Sequence, residues 1–239
     1  GHESGGRRDV YKYTFYAFRS QWRKLPEAER HAGIQEFLGV IERHRRRMEI
    51  RTYNTTGLKA EDEFLIWAIA EDVERVIELG TDLANTDLAA FLKVTHSYLA
   101  MGKPSQYIPP HEHEQAPPPP GVSKYLFIYP FVKTKAWYQL PFDDRRAMMG
   151  GHTATGHKYP TIRINTGYSF GLDDQEFVVS FEGDRAEEFL DMVQEMRSSK
   201  ATAYTERDTP MFTCLRMDLP DILQRLSFKE AVVAAQVSR

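Results

Sequence analysis

The stretch Tyr129–His152 carries the side chains of this chain that are best suited to chemistry; it reads YPFVKTKAWYQLPFDDRRAMMGGH. Tyr129, Lys133 and Trp137 precede a lone histidine, His152. A buried neutral imidazole needs a partner, and a metal ion is one candidate. The alternative is that His152 is a core histidine with a hydrogen bond to another protein group. Both interpretations require that His152 faces inward.

The residues around His152 indicate which metal group would suit it. Gly150, Gly151 and Gly156 are small enough to let a flat ligand approach a helix closely. No second His or Cys stands nearby at zinc-ligand spacing, and His157, five residues on, has poor helical spacing for sharing an ion. A single imidazole suits a haem iron, because the porphyrin supplies four further ligands.

The composition limits the possible partners. The chain has 239 residues, is 41% hydrophobic and carries a formal net charge of −3, which is ordinary for a soluble globular protein and gives no electrostatic case for nucleic acid or an anionic membrane. No run of about 18 apolar residues predicts a membrane span. Cys214 is the single cysteine, so an intrachain disulfide is impossible and a reducing compartment, the cytoplasm, is expected.

Residues 108–123 separate two halves of similar length. Six of these sixteen residues are proline, so the segment is predicted to be an extended linker. Its His111 and His113 are discounted as a metal site, because nothing rigid holds them in register. The predicted organisation is a tail or tag remnant at 1–9, an N-terminal half at 10–107, the linker, a C-terminal half at 124–218 and a helical tail at 219–239.

The two halves resemble each other. Each has the order Tyr-x-Phe, Trp and Leu-Pro, beginning at Tyr16 in the first half and at Tyr129 in the second, where two extra residues follow Phe131. An offset of about 113 to 115 residues indicates a duplicated domain. Each half is predicted to form strand, helix, strand, strand and helix, which is an α+β ferredoxin-like unit. Two such sheets would pack face to face or close together into a barrel.

The duplication supplies an internal comparison for His152. It lies fifteen residues after Trp137, and the residue fifteen after the matching Trp22 is Phe37. A helix-surface position would rarely hold phenylalanine. We therefore expect Phe37 to fill a core and His152 to face a cavity.

Several motifs together resemble the chlorite dismutase family, which includes the coproheme decarboxylases. They are Y-P-F-x-K-x-x-x-W-Y-x-L-P, M-M-G-G-H-T-A-T-G-H-K-Y-P, S-F-G-L-D-D-Q-E-F-V-V and R-D-T-P-M-F-T, with G-L-K-A-E-D-E-F-L-I-W in the first half. The resemblance runs from about Tyr11 to Leu215. It implies a dimeric α+β barrel built from two ferredoxin-like halves, usually a homopentamer, with haem b or coproheme in the C-terminal half and none in the N-terminal half.

The resemblance also implies roles for individual residues. His152 matches the proximal iron ligand and Tyr129 the redox-active tyrosine. Lys133 would hold or protonate a propionate, and Trp137 would pack near the porphyrin. Together with Gly151, which precedes the ligand, and Ile164, these are the candidate site residues.

Ile164 stands at the position where chlorite dismutases place an arginine on the distal face of the haem. Strand alternation puts Ile162, Ile164 and Thr166 on one face and Arg163 on the other. The more apolar face is expected to line the pocket. An isoleucine there argues against chlorite turnover, because no fixed cation would meet the anion.

The resulting functional prediction is a peroxide-dependent coproheme decarboxylase, in which iron-coproporphyrin III is both substrate and cofactor and haem b is the product. Its partners would be the porphyrin and hydrogen peroxide. A chlorite dismutase-like or peroxidase-like haem protein, a haem carrier or sensor without efficient turnover, and a barrel without cofactor are the alternatives.

Overall fold

A computed structural model describes residues 8–107 and 119–229, which form two compact units. Unit 1 comprises Gly1–Leu99 together with Cys214–Arg239, and unit 2 comprises Ala100–Thr213. Most of the predicted linker, including His111 and His113, and most of the predicted N-terminal tail lie outside the described residues. No helix in the described part of the chain is long and apolar enough to cross a membrane.

Unit 1 is an antiparallel sheet covered by helices. Its elements are β1 (Val10–Phe18), α1 (Glu27–Arg45), β2 (Glu49–Asn54), β3 (Phe64–Ala70), α2 (Val73–Ala84) and β4 (Leu92–Met101). The strand order is β4-β1-β3-β2, and β3 pairs antiparallel with both β1 and β2. Helix α1 turns five residues, among them Ile34, Phe37 and Ile41, into the core.

Unit 2 repeats the order of elements. It contains β5 (Tyr125–Lys133), α3 (Lys135–Gln139), α4 (Phe142–His157), β6 (Arg163–Tyr168), β7 (Phe177–Gly183), α5 (Ala186–Met196) and β8 (Thr205–Arg207). The strand order is β6-β7-β5-β8, with antiparallel pairing. The chain then returns to unit 1 through β9 (Phe212–Arg216), which pairs with β2, and α6 (Leu219–Ser227). The predicted α+β class is confirmed, and the structure shows antiparallel strand pairings in both units.

The two longest helices of the duplication correspond position by position. Pro26 and Pro141 occupy the N-cap positions of α1 and α4. Phe37 and His152 both lie eleven residues beyond these caps, since 37 − 26 = 152 − 141 = 11. Phe37 is 1% exposed in the core of unit 1, as the internal comparison predicts.

The sequence predicts a helix over residues 141–150 in the second half, and this prediction ends α4 too early. The helix continues to His157, because Gly150 and Gly151 keep helical backbone angles instead of terminating it. Gly171, by contrast, has a φ of 73° in the turn before β7, a backbone conformation that glycine adopts without strain.

The strand register corrects the motif comparison. The same backbone-to-carboxylate hydrogen bond occurs in both units, from Phe18 N to Glu63 Oε1 at 2.7 Å and from Lys133 N to Glu176 Oε1 at 2.8 Å. Lys133 is therefore the counterpart of Phe18, and Tyr129, four residues earlier, is the counterpart of Thr14. The motif match that paired Tyr129 with Tyr16 is wrong by two residues, and no insertion separates the strand from the following tryptophan.

Candidate functional site

A cavity of about 1430 Å³ lies within unit 2. Its wall is formed by residues of β5, β6, β7, α4 and α5 and of the segments beside them. Five of the six residues predicted from the sequence contribute to it: Tyr129, Lys133, Trp137, His152 and Ile164. Its size exceeds that of an ordinary small-molecule pocket, which indicates a large ligand.

The charges around the cavity are predominantly positive. Five basic side chains line it: Lys103, Lys133, Arg145, Lys158 and Arg197. Asp208 is the one acidic side chain of the described lining, and it is paired with Arg197 at 3.2 Å. This excess of cations suits a ligand that carries several carboxylates.

Apolar side chains form a large part of the sheet side of the cavity, to which Asn165 and Thr166 of β6 also contribute. Phe131, Val179 and Phe181 line it together with Ile164, which is 46% exposed. Such an exposed apolar surface within a cavity favours a flat hydrophobic ligand. The side chain of Arg163 lies 3.9 Å from that of Glu182 and is not part of the lining, so the structure places isoleucine, not arginine, at this face.

His152 enters the cavity from α4. Burial, and then the charge of Lys133, lower the pKa of its imidazole, so the ring is neutral at pH 7 and a nitrogen lone pair is available. Its Nδ1 lies 3.4 Å from Ser199 Oγ. Among residues 8–107 and 119–229, no group of three or more His, Cys, Asp or Glu side chains is arranged to hold a metal ion. The iron of a porphyrin suits a lone imidazole, because the porphyrin supplies four further ligands.

Lys133 lies close to His152 at the end of β5. Its Nζ stands 4.2 Å from the centroid of the Trp137 ring, in cation–π geometry. Burial lowers the pKa of this ammonium to about 8, although the charge of Glu176 opposes the effect. The group is therefore a partly desolvated cation, which binds a carboxylate more strongly than an exposed lysine does.

Tyr129 lies on β5, where its ring is tilted against that of Phe181 at a centroid distance of 5.7 Å. Burial is the largest cause that raises the pKa of its phenol; Asp208 raises it further, and Arg197 lowers it. The phenol therefore keeps its proton throughout the physiological range. It can give up a proton readily only together with an electron.

Gly151 does not join the other predicted residues. It is exposed, it is not part of the cavity lining, and a Cβ built on it would meet nothing within 4 Å. Each helical residue is rotated by about 100° from the previous one, so the residue before His152 faces elsewhere. The glycine that lines the cavity is Gly156, where a Cβ would lie 3.5 Å from Ile164 Cδ1.

Sequence reasoning missed residues of the cavity lining, such as Arg145, and also missed Ser199, which contacts His152 from outside that lining. Arg145 lies on α4 seven residues before His152, on the same helical face, and its Nη1 donates to the hydroxyl of Tyr107 at 3.2 Å. The i to i+7 spacing from His152 could have identified Arg145. Nothing in the sequence could have identified Ser199, because its approach to His152 spans 47 residues.

Comparison with known sequences identifies relatives of this chain. The sequence model of the family described as chlorite dismutase matches residues 30–217. A protein of Mycolicibacterium smegmatis named coproheme decarboxylase is 29% identical over 204 residues, which cover 84% of each chain.

Solved structures show the same fold. A mutant chlorite dismutase from Candidatus Nitrospira defluvii superposes with a TM-score of 0.88 at 22% identity, covering 92% of this chain and 96% of the other. A haem-binding protein from Thermus thermophilus superposes with a TM-score of 0.80 at 21% identity, covering 92% and 95%.

Proposed function

Because this chain belongs to the chlorite dismutase family, we propose that it is a coproheme decarboxylase, which converts two propionates of iron-coproporphyrin III into the vinyl groups of haem b with hydrogen peroxide. Within that proposal, the two units form the halves of a dimeric α+β barrel, and the chain assembles as a homo-oligomer, a pentamer by family resemblance. The identity of 29% to a protein named coproheme decarboxylase supports this reaction.

One observation carries the proposal. Tyr129, Lys133 and His152 line a single cavity, and the duplicated unit has Thr14, Phe18 and Phe37 at the matching positions. Phe18 and Phe37 are buried core residues. The second copy therefore combines a phenol, an ammonium and an imidazole in one cavity where the first copy has no such set.

The residues of the cavity fit a carboxylated porphyrin. The neutral imidazole of His152 would bind the iron, and Ile164 and Phe181 would offer apolar contacts to the porphyrin ring. Lys133 and Arg145 would bind propionate carboxylates, since no carboxylate of the described residues pairs with either at ion-pair distance. When bound, the iron and peroxide supply the oxidising equivalents.

Tyr129 would connect that oxidant to the substrate side chain. It gives up its phenolic hydrogen, and the phenoxyl then removes a hydrogen atom from the β-carbon of a propionate. Lys133 holds the carboxylate so that this carbon meets the tyrosyl oxygen. Loss of carbon dioxide from that propionate would leave a vinyl group, and the bound iron and peroxide would supply the oxidising equivalent for the second electron. Each round consumes one peroxide and one proton and yields two waters.

A haem carrier or sensor is the second candidate. The apolar Ile164, which offers neither a cation nor a hydrogen bond to an oxidant, favours it. Turnover separates the two, because a carrier binds coproheme and does not release carbon dioxide from it when peroxide is added.

The experiment that tests the proposal uses Tyr129→Phe. We expect this variant to bind coproheme with unchanged affinity and to form no vinyl product with peroxide, because phenylalanine has no hydrogen to give up. Mass spectrometry of the porphyrin measures the loss of each carboxyl group. Normal conversion by the variant would refute the role of Tyr129.

His152→Ala supplies the complementary control for binding. We expect it to lose the Soret absorbance of a histidine-ligated ferric haem. An unchanged spectrum would refute the assignment of the ligand, whatever the result with Tyr129→Phe. A wild-type protein that binds coproheme and leaves all four propionates intact would favour the carrier.

A further inference from the structure

The duplication shows what changed around the imidazole of His152. In unit 1 the helix α2 is followed by Thr86, whose backbone nitrogen donates to Leu83 O at 3.1 Å and whose hydroxyl donates to the same carbonyl at 2.6 Å. In unit 2, Ser199 N donates to Met196 O at 3.0 Å. Ser199 is therefore the counterpart of Thr86, since 199 − 86 = 196 − 83 = 113.

The hydroxyl of Ser199 has a different partner from that of Thr86. The carbonyl of Met196 accepts instead from Thr202 Oγ1 at 2.9 Å. Residue 202 matches Ala89 of unit 1, which has no hydroxyl, since 202 − 113 = 89. Thr202 has thus taken over the capping of the helix, and Ser199 Oγ lies 3.0 Å from Thr202 Oγ1 and 3.4 Å from His152 Nδ1.

The direction of this chain of hydrogen bonds is fixed from its far end. Met196 O can only accept, so the Thr202 hydroxyl donates to it and can only accept from Ser199. The Ser199 hydroxyl therefore donates to Thr202, and its oxygen is left to accept a proton from the imidazole. His152 must then carry its proton on Nδ1, and Nε2 keeps the lone pair.

We propose that Ser199 is a positioning residue that holds the imidazole of His152 as the Nδ1–H tautomer, with Nε2 free to bind a metal. Ser199 can do so because the hydroxyl of Thr202, and not that of Ser199, donates to the carbonyl at the end of the helix. The tautomer follows from the protein's own hydrogen bonds, and only the identity of the bound metal group rests on the proposed function. In unit 1, where Phe37 replaces His152, Thr86 caps the helix and no such relay exists.

The test measures the tautomer in the metal-free protein, by ¹⁵N NMR of histidine-labelled samples at pH 8. The His152 signals are identified as those that disappear in His152→Gln. We expect the wild type to show the proton on Nδ1. Ser199→Ala should shift the ring towards the Nε2–H form, which free imidazole side chains prefer in water, and Ser199→Thr should restore Nδ1–H.

Thr202→Ala gives the sharper result. Without the threonine, the Ser199 hydroxyl is expected to bond to Met196 O, as the Thr86 hydroxyl bonds to Leu83 O in unit 1. This variant should therefore reproduce the tautomer shift, although the hydrogen bonds of Thr202 are to Ser199 and Met196. Ser198→Ala is the matched control, because Ser198 is exposed beside Ser199. It should leave the spectrum unchanged.

A second measurement uses coproheme-loaded protein. We expect Ser199→Ala and Thr202→Ala to weaken iron-porphyrin binding by up to about tenfold and to shift the iron–histidine stretching band, and Ser198→Ala to do neither. A wild-type His152 that carries its proton on Nε2, or a Thr202→Ala protein with an unchanged tautomer, would overturn the inference. Neither result depends on decarboxylation, so either can be distinguished from a failure of the proposed reaction.

Discussion

Lys133 is an ammonium group that titrates within an easily reached range of pH. Burial lowers its pKa from about 10.5 to about 8 in the folded protein. Between these two values the unfolded chain holds a proton that the folded chain has lost. Stability therefore rises with pH across this window, since the unfolded state binds more protons.

Replacing Lys133 by methionine removes this dependence. From pH 7 to pH 9.5 we expect the free energy of unfolding of the wild type to gain about 1–2 kcal/mol relative to Lys133→Met, measured by urea denaturation of the metal-free protein. Lys135→Met is the control, because Lys135 is exposed on the same segment and should behave as the wild type does. A parallel pH dependence in all three proteins would contradict the burial of the Lys133 charge.

Among single residues, the sequence is most informative about His152. Its counterpart Phe37 identifies an inward-facing position, and the structure has both side chains eleven residues beyond a proline cap. The sequence says nothing of Ser199 and Thr202, because their effect depends on how a 3-10 helix, Lys200–Tyr204, lies against α4. Contacts between segments so distant in the chain leave no local pattern to read.

At the level of elements, α1 and α4 have equivalent places in the two units and different supports. Helix α1 has five buried residues, whereas α4 has none, because its inner face lines the cavity. Packing against the rest of the protein therefore stabilises α4 less than it stabilises α1. A ligand bound in the cavity would add stability to the folded protein by mass action.

Alanine substitutions at Phe37 and at His152 should therefore lower the free energy of unfolding by different amounts. Phe37→Ala is expected to cost about 3–5 kcal/mol of stability, because it leaves a cavity in a closed core. His152→Ala should cost less than about 1 kcal/mol in the metal-free protein, since its ring already borders open space. Guanidinium unfolding compares the two variants, and equal losses would contradict the different roles of the helices.

Periodicity predicted the two helices and the central strands of each unit, and it failed at two kinds of element. It ended α4 at Gly150, because glycine is a common helix terminator although here it stays helical. It also missed the strands after the second helix of each unit, β4 and β8. Strand β8 has only three residues, and pairing with β5 defines it, which a sequence pattern does not reveal.

At the scale of the whole molecule, unit 1 is built from both ends of the chain. Helix α6 buries Leu219, Ile222 and Leu223 in the same core as α1. The indole of Trp22 donates to Ser227 Oγ at 2.9 Å, which joins residues 205 positions apart. Every described residue that lines the cavity lies in unit 2.

A core substitution in α6 should therefore affect stability and spare ligand binding. Ile222→Ala is expected to lower the free energy of unfolding by about 2–5 kcal/mol, because Ile222 is fully buried. The affinity for coproheme, measured by titration of the Soret band, should stay within about twofold of the wild type. Gln224→Ala, exposed on the same helix, should change neither quantity.

The insertion of unit 2 into the sequence of unit 1 sets an order of events during translation. The ribosome emits all of unit 2 before it emits β9 and α6, so the cavity can be finished while unit 1 still lacks its last strand and helix. The porphyrin of the proposed function would then meet a complete pocket on a nascent chain. Closure of unit 1, with the Trp22–Ser227 contact, is the last step to become available.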